Sequence, residues 1–344
     1  MLSWTLVLVV ITVAIALIFD VINGFHDSAN SIATVVSTRV LSPRIAVFWA
    51  AFFNFAAMFI FMPRVADTIA KIVIIDASDP AYVYVVLTGL IGAIIWDLIT
   101  WVLGLPTSST HALIGAVVGA GFAHRGVSVI RWNTVLATVE YIPIAPLIGL
   151  ALGFILMVIV YWIFRRWRPA SVDSLFRRGQ LFSAALYSLG HGGNDAQKTM
   201  GIIVALLIAA GYFSPDTHLS LTDWRTAWII LSCNIAMALG TAFGGWRIVK
   251  TMGMKITKLK PVGGFCAETA GAMTLFAVTH MGIPVSTTHT ITGAIVGVGS
   301  TTKFSTIKWG IAANIVWAWV LTIPCSAVMS AAMFYVVKLL HPGF

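Results

Sequence analysis

The sequence predicts an all-α integral membrane protein with discontinuous helices and helical hairpins, arranged as an inverted repeat with about 10–12 membrane segments. Three observations carry this. The 344 residues are 59% hydrophobic and only 10% charged, with a mean hydropathy of +0.95. Soluble domains run at about 45–50% apolar and about 25% charged, so this composition excludes an ordinary soluble core. Several apolar runs reach the roughly 20 residues that cross a bilayer. Finally, two polar motifs each occur twice, in the same order.

The elements follow in chain order. The first apolar run, Leu2 to Phe19, lacks a basic start and a small-residue cleavage site and ends in FDVING, so it reads as a mature span and not a signal peptide. Gly24 interrupts the apolar pattern, so the helix is expected to stop at 20 and restart over 27–37. Spans over 45–62 and 81–103 follow, then a helix over 107–122 that begins where Pro106 precedes a hydroxyl run. The run 133–164 contains Pro143 and Pro146 and is expected to break near them. After a basic link at 165–180, helices are expected over 181–192, 195–210, 225–246, 262–280, 285–300 and 307–340. Residues 1–164 and 181–344 form the two copies, with neither a separate soluble domain nor a low-complexity tail.

The formal charge of +9 sits mainly in the connectors, which is the topology signal of membrane proteins and speaks against a nucleic-acid partner. Arg165, Arg166, Arg168, Arg177 and Arg178 form one basic cluster. Arg247, Lys250, Lys255, Lys258 and Lys260 form another, so the loops 165–180 and 247–260 are expected in the cytoplasm. The segment 211–224 has no Lys or Arg and is expected outside. Arg64 and Lys71 run against this topology, although Asp67, Asp76 and Asp79 share their loop. Cys233, Cys266 and Cys325 are widely spaced in apolar sequence and make neither a disulfide framework nor a metal pattern.

FDVINGFHDSANSIATVV resembles LYSLGHGGNDAQKTMGII; with Asp27 on Asp195, His26 falls on Asn194, Asn30 on Lys198 and Ser31 on Thr199. GLPTSSTHALIGAVVGAG resembles GIPVSTTHTITGAIVGVG, with Pro106, Ser108, Thr110 and His111 on Pro284, Ser286, Thr288 and His289. Arg39 and Arg44 follow the first copy of the first motif, whereas the equivalent connector of the second copy is the uncharged-by-Lys/Arg 211–224. The copies are therefore expected upside down relative to each other. That is a recurring plan of secondary transporters, whose substrate site lies near mid-membrane between the repeats.

A carboxylate at bilayer depth stays only where it faces protein, an ion or water. Asp27 and Asp195, one per copy, are thus candidates to hold a cation such as sodium, magnesium or a proton, and helix capping is the plainer alternative. The hydroxyl runs after Pro106 and Pro284 place helix N-termini, with their free N–H groups and partial positive charge, where an anion would bind. Thr107, Ser108, Ser109 and Thr110, with Ser286, Thr287 and Thr288, supply donors suited to a tetrahedral oxyanion. His26, Asp97 and Glu268 are further candidates for the coupling ion or proton, Asp20 for a local pairing, and His111 and His289 for orienting hydroxyls. Trp96, Trp101, Trp132, Trp317 and Trp319 read as interface or packing residues. An intramembrane hydrolase built on Ser108 and His111 is disfavoured, because Ser and His three apart on one helix do not reach triad geometry. A passive anion channel is the remaining alternative.

These motifs, NGFHDSANSIATVVSTR, GLPTSSTHALIGAVVGAG, GHGGNDAQKTMG and IPVSTTHTITGAIVGVG, with FGGWRIVKTMG, resemble the inorganic phosphate transporter (PiT) family, in its bacterial low-affinity branch. The resemblance spans nearly the whole chain. It implies a cation-coupled symporter of inorganic phosphate, multi-pass in the plasma (cell inner) membrane, commonly a homodimer, with no covalent cofactor and no enzymatic activity. It also implies that Asp27, Asn30, Asn194 and Asp195 are central and that the Ser/Thr runs contact phosphate together with Lys198. Proton coupling with transport of a neutral complex of phosphate and Mg2+ or another divalent metal is the leading expectation. A sodium-coupled phosphate symporter and a sulfate permease of the same fold are the alternatives. His26 and Lys198 depart from the symmetric Asn-Asp and Asn pattern of the family, which weighs against sodium. No long hydrophilic central loop is present, as expected of a compact bacterial carrier.

Overall fold

A computed structural model describes residues 4–73, 81–302, 305 and 307–341; Asp76 and Asp79 lie outside these. The described chain is helical, in the order α1 (Trp4–Ser37), α2 (Pro43–Ala56), α3 (Arg64–Ile69), α4 (Tyr82–Leu103), α5 (Ser109–Arg125) and α6 (Trp132–Phe164). The second half continues with α7 (Pro169–Ala209), α8 (Trp224–Phe243), α9 (Trp246–Lys250), α10 (Pro261–His280), α11 (Thr287–Ser300) and α12 (Trp309–Leu340). Among the described residues, seven helices are long and apolar enough to cross a membrane: α1, α4, α5 with the turn after it, α6, α8, α10 and α12. Large apolar side chains point outward, among them Phe48, Phe52, Trp162, Trp224 and Leu339, each more than 60% exposed. Asp20, Asp27, Asp97, Asp195, Lys198 and Glu268 are at most 2% exposed. Apolar groups outside and charges inside are the arrangement a hydrocarbon solvent selects.

Two sequence expectations are corrected here. First, α1 and α7 are each one unbroken helix, so the expected stops at Gly24 and at Gly192–Gly193 do not occur, and the pairs 2–20/27–37 and 181–192/195–210 fuse. These glycines serve packing instead. A β-carbon on Gly24 would sit 2.3 Å from the Met237 carbonyl oxygen of α8, and one on Gly192 would sit 2.4 Å from the Asn54 carbonyl oxygen of α2. The missing side chains let two neighbouring backbones lie against the polar motifs. Second, α6 passes Pro143 and Pro146 without a break. Proline in a membrane helix is tolerated where neighbours take up the backbone groups it frees. Pro146 cannot donate to the Ile142 carbonyl, and the His289 ring of α11 faces that carbonyl. The real discontinuities are the two hairpin turns. α4 ends at the left-handed Gly104 (φ 67°) and α5 restarts after Ser108. The α10–α11 turn uses Gly282 (φ 73°), and α11 restarts after Ser286.

Each hairpin is packed by the long helix of the other half: α12 lies on α4 and α5, and α6 lies on α10 and α11. Small residues make the second contact close. A β-carbon on Gly293 would meet the Pro146 carbonyl oxygen at 2.1 Å, and one on Gly297 would meet that of Leu150 at 2.1 Å. Two apolar clusters result, one holding Phe19 and Met200, the other Ala29 and Tyr187, and the polar motifs of α1 and α7 lie between them along each helix.

Gly293→Val therefore forces α11 off α6 and is expected to cost at least about 1–3 kcal/mol, the usual range for overpacking. Gly310→Ala, where a β-carbon meets nothing within 4 Å, is the matched control. Thermal unfolding of the detergent-solubilised protein should show a lower midpoint for the first variant only; equal midpoints would contradict the close α6–α11 contact.

Candidate functional site

α1 and α7 run antiparallel past each other. Thr38 donates to Gln180 at one end (2.8 Å), and Asp20 faces Thr199 at the other. Midway, their motifs meet the starts of α5 and α11. The Lys198 ammonium donates to an Asp195 carboxylate oxygen and to the Thr110 hydroxyl, and lies 3.3 Å from the Val285 carbonyl oxygen. Lys198 brings its terminal nitrogen to the hairpin starts and is 1% exposed. Asn30, its match on α1, donates to Thr287 (3.2 Å) and Thr288 (2.9 Å). Each half therefore reaches the hairpin of the other half. Thr287 in turn donates to Asp195 (3.2 Å) and Thr288 to Asp27 (3.4 Å), so both carboxylates share one hydrogen-bonded circuit.

The two helix starts are built alike. Ser108 and Ser286 are N-caps whose hydroxyls accept from the His111 and His289 backbone N–H groups, at 3.3 and 3.1 Å. The hydroxyls of Thr110, Thr287 and Thr288 in these first turns contact the ammonium and the two carboxylates, while the Ser109 hydroxyl is buried without a partner. An anion at this point would meet two helix N-termini, one ammonium and several hydroxyl donors.

His26 and Asn194, which match in the two motifs, do corresponding work. His26 Nδ1 lies 2.8 Å from Asp27, and its Nε2 lies 3.1 Å from Thr100 of α4 and 3.5 Å from Thr107. Asn194 donates to Thr279 of α10 (3.0 Å) and to the Ile283 carbonyl oxygen (3.3 Å). Each ties its own motif to the turn of its own hairpin. His191 adds an imidazole: Nε2 stands 3.4 Å from Asp195, and Nδ1 stands 3.2 Å from Asn54. One ligand atom each from Asp27, His191 and Asp195 lies within 4.8 Å of the others, close enough to hold one cation together.

All fifteen sequence-predicted site residues are buried, but they are not all gathered together. Asp97 lies near His26 on α4 with neither carboxylate oxygen hydrogen-bonded. Glu268 sits toward the basic linker in a separate network, accepting from Thr34 (2.6 Å), Gln180 (2.9 Å) and Ser183 (2.5 Å). His111 and His289 do not orient hydroxyls; their rings meet edge to face at 4.8 Å, and His289 stacks on Trp319 at 3.8 Å. Trp319 donates to the Pro106 carbonyl oxygen (3.0 Å) and so belongs to the back wall of the site, not to a membrane interface. Tyr187, which donates to the Thr287 carbonyl oxygen (3.0 Å), was not singled out by the sequence, although it lies inside the repeated motif. Thr100, Thr279 and Asn54 also escaped it, since only the fold brings them near. A cavity of about 430 Å³ opens beside the 219–222 loop and is lined by Phe61, Gly193, Gln197 and Asn234, reaching the flank of the α7 motif.

Among the described residues, seven membrane-length apolar helices around buried charges and two facing helix starts define a multi-pass membrane protein with a polar centre. The comparisons give the particular family. Residues 23–330 match the phosphate transporter family model, and the chain belongs to that family. It is 55% identical to a "probable low-affinity inorganic phosphate transporter" of Rhizobium meliloti, over 95% of this chain and 96% of that one. It is 43% identical to a Bacillus subtilis protein of the same description, over 97% and 98% of the two chains. A solved structure described as "the sodium-dependent phosphate transporter" is similar with a TM-score of 0.83 and 26% identity, covering 97% of this chain and 99% of that one.

The Lys198–Asp195 pair is buried, so removing one partner strands the other. Asp195→Ala is expected to destabilise the protein by about 3–5 kcal/mol, and adding Lys198→Met should recover much of that loss. Unfolding midpoints of the single and double variants, compared in one detergent, test this; a double variant as unstable as Asp195→Ala would mean that the pair is not coupled.

Proposed function

We propose that the chain is a secondary active symporter that imports inorganic phosphate coupled to protons. The observation that carries this reading is the Lys198 ammonium at the hairpin starts, bound to Asp195 and Thr110. The centre holds two carboxylates, Asp27 and Asp195, against this one ammonium. A phosphate adds at least one further negative charge. In a low-dielectric interior that excess is costly, so the anion enters only with cations. Lys198 already stands on Asp195, where an external sodium ion would otherwise bind, so the charge remaining to be matched suits a proton.

In this reading phosphate lies between the starts of α5 and α11. Ser109, Thr110, Thr287 and Thr288 donate to its oxygens, Lys198 turns from Asp195 toward it, and Asn30 and Asn194 hold the second hairpin in place. Residues 1–164 and 181–344 are inverted copies joined by the linker 165–180, which lies in the cytoplasm of a plasma-membrane protein together with 247–260. The reciprocal reach of Asn30 and Lys198 supports that symmetry. Once Lys198 has turned to the phosphate, Asp27, His191 and Asp195 offer oxygen and imidazole ligands, a set that suits a divalent metal arriving with that phosphate better than it suits sodium. Sodium coupling is the second reading, favoured by the similarity to a solved sodium-dependent phosphate transporter.

Purified protein in proteoliposomes decides among these. Phosphate accumulation is expected under an inward proton gradient and not under a sodium gradient alone, with competition by arsenate and not by sulfate. Accumulation driven only by sodium would overturn the proton reading, and absence of uptake under either gradient would overturn symport. Asp27→Ala and Asp195→Ala, recovered in the membrane, should reduce uptake to the level of empty liposomes; retained uptake would make these carboxylates structural.

A further inference from the structure

Asp20 lies outside the centre described above. It is on α1, seven residues before Asp27, which places it two turns and about 10 Å away on the same helix face, toward the end opposite the basic linker. It is 0% exposed, and neither carboxylate oxygen has a hydrogen-bond partner. Asn23 and Thr199 are its polar neighbours, and their side-chain polar atoms are likewise without partners. From α8 the Cys233 thiol faces it; from α7 the charged groups within electrostatic reach are Asp195 and Lys198.

Glu268 provides the contrast. At the other end of the α1–α7 seam it receives three hydrogen bonds, one each from Thr34, Gln180 and Ser183, and is held in place. Asp20 makes no hydrogen bond of normal geometry and has only Thr199 and Asn23 as nearby donors, weak support for an ionised carboxylate at such depth. It persists only with a cation bound. α1, α7 and α8 are helical throughout this region, so their carbonyls are engaged in their own ladders. Among the described residues the site thus offers the side-chain oxygens of Asp20, Asn23 and Thr199 and the Cys233 thiol, a poor cage for a metal ion and a sufficient one for a proton. The position needs no acid for packing: with Asp27 aligned on Asp195, Asp20 matches Ser188, whose hydroxyl donates to the Ala184 carbonyl oxygen.

We propose that Asp20 is a proton-loading site, distinct from the phosphate centre and on its side away from the basic linker. This rests on the proton-coupled reading given above. A proton from water on that side forms an O–H bond on the Asp20 carboxylate, with Asn23 and Thr199 as hydrogen-bond partners. It returns to water from the same oxygen in the transport cycle. Through the α1–α7 seam, its presence or absence sets the charge that Asp195 and Lys198 experience while phosphate is bound.

The test uses the full-length protein in proteoliposomes and two assays. Asp20→Asn imitates the protonated acid and leaves the phosphate residues intact. It is expected to exchange labelled phosphate at the wild-type rate when no gradient is applied, and to lose accumulation driven by a proton gradient. Asp20→Glu should retain both activities. Infrared difference spectra between acidic and alkaline buffer should contain a carboxylic-acid carbonyl band that Asp20→Asn removes. Proton-driven accumulation persisting in Asp20→Asn would overturn the proposal. So would loss of exchange together with accumulation, which marks a structural residue, or an infrared difference that the substitution leaves unchanged. Wild-type protein indifferent to a proton gradient would overturn the coupled reading itself, and this proposal with it.

Discussion

The Lys198 ammonium stands where three constraints meet. It neutralises Asp195, binds the Thr110 hydroxyl at the start of α5, and approaches the Val285 carbonyl just before α11. It thereby joins the motif of α7 to both hairpins at once. A buried ammonium in this place requires a carboxylate beside it, and the carboxylate requires donors beyond the lysine, which Thr287 supplies. The rest of the centre follows from that demand. Asn30 fixes Thr287 and Thr288, and Thr288 in turn satisfies Asp27. Loss of any one link leaves a polar group unpaired in a medium without water to rescue it.

The same demand explains why the packing is exchanged between the halves. A hairpin whose N-terminus must point at the membrane centre needs rigid support behind it. α12 supports α4 and α5, while α6 supports α10 and α11. Glycines on α5 and α11 remove the side chains that would hold those helices away. Because each hairpin is both clamped and addressed by the opposite half, its packing and its polar contact depend on the same neighbour. That mutual support is what the proposed coupling of phosphate to a cation would act through.

Much of this was legible in the sequence, and the limits have physical reasons. The repeated Asp27/Asp195, Asn30/Lys198 and Pro-hydroxyl motifs pointed to the residues that meet at the centre, because charge in an apolar chain needs a cause. Ser108 and Ser286 were readable as helix starts from proline followed by hydroxyls. Gly24 and Gly192 were not readable in the same way. A glycine that unwinds a helix and a glycine that admits a neighbouring backbone look identical until the neighbour is known. Pro146 misled for a similar reason, since its freed carbonyl is faced by a ring 143 positions away on α11. The hairpin ties of His26 and Asn194 depend on Thr100 and Thr279, and no local pattern announces those partners.

The central claim is that an oxyanion binds between the starts of α5 and α11, in contact with Lys198. Arsenate has the shape of phosphate and scatters X-rays anomalously, so a crystal grown with arsenate locates the anion directly. The account predicts one strong anomalous peak within hydrogen-bond reach of Lys198 Nζ and of the Thr110 and Thr287 hydroxyls. A peak lying instead against the basic 165–180 linker, with none between the two hairpin starts, would contradict it.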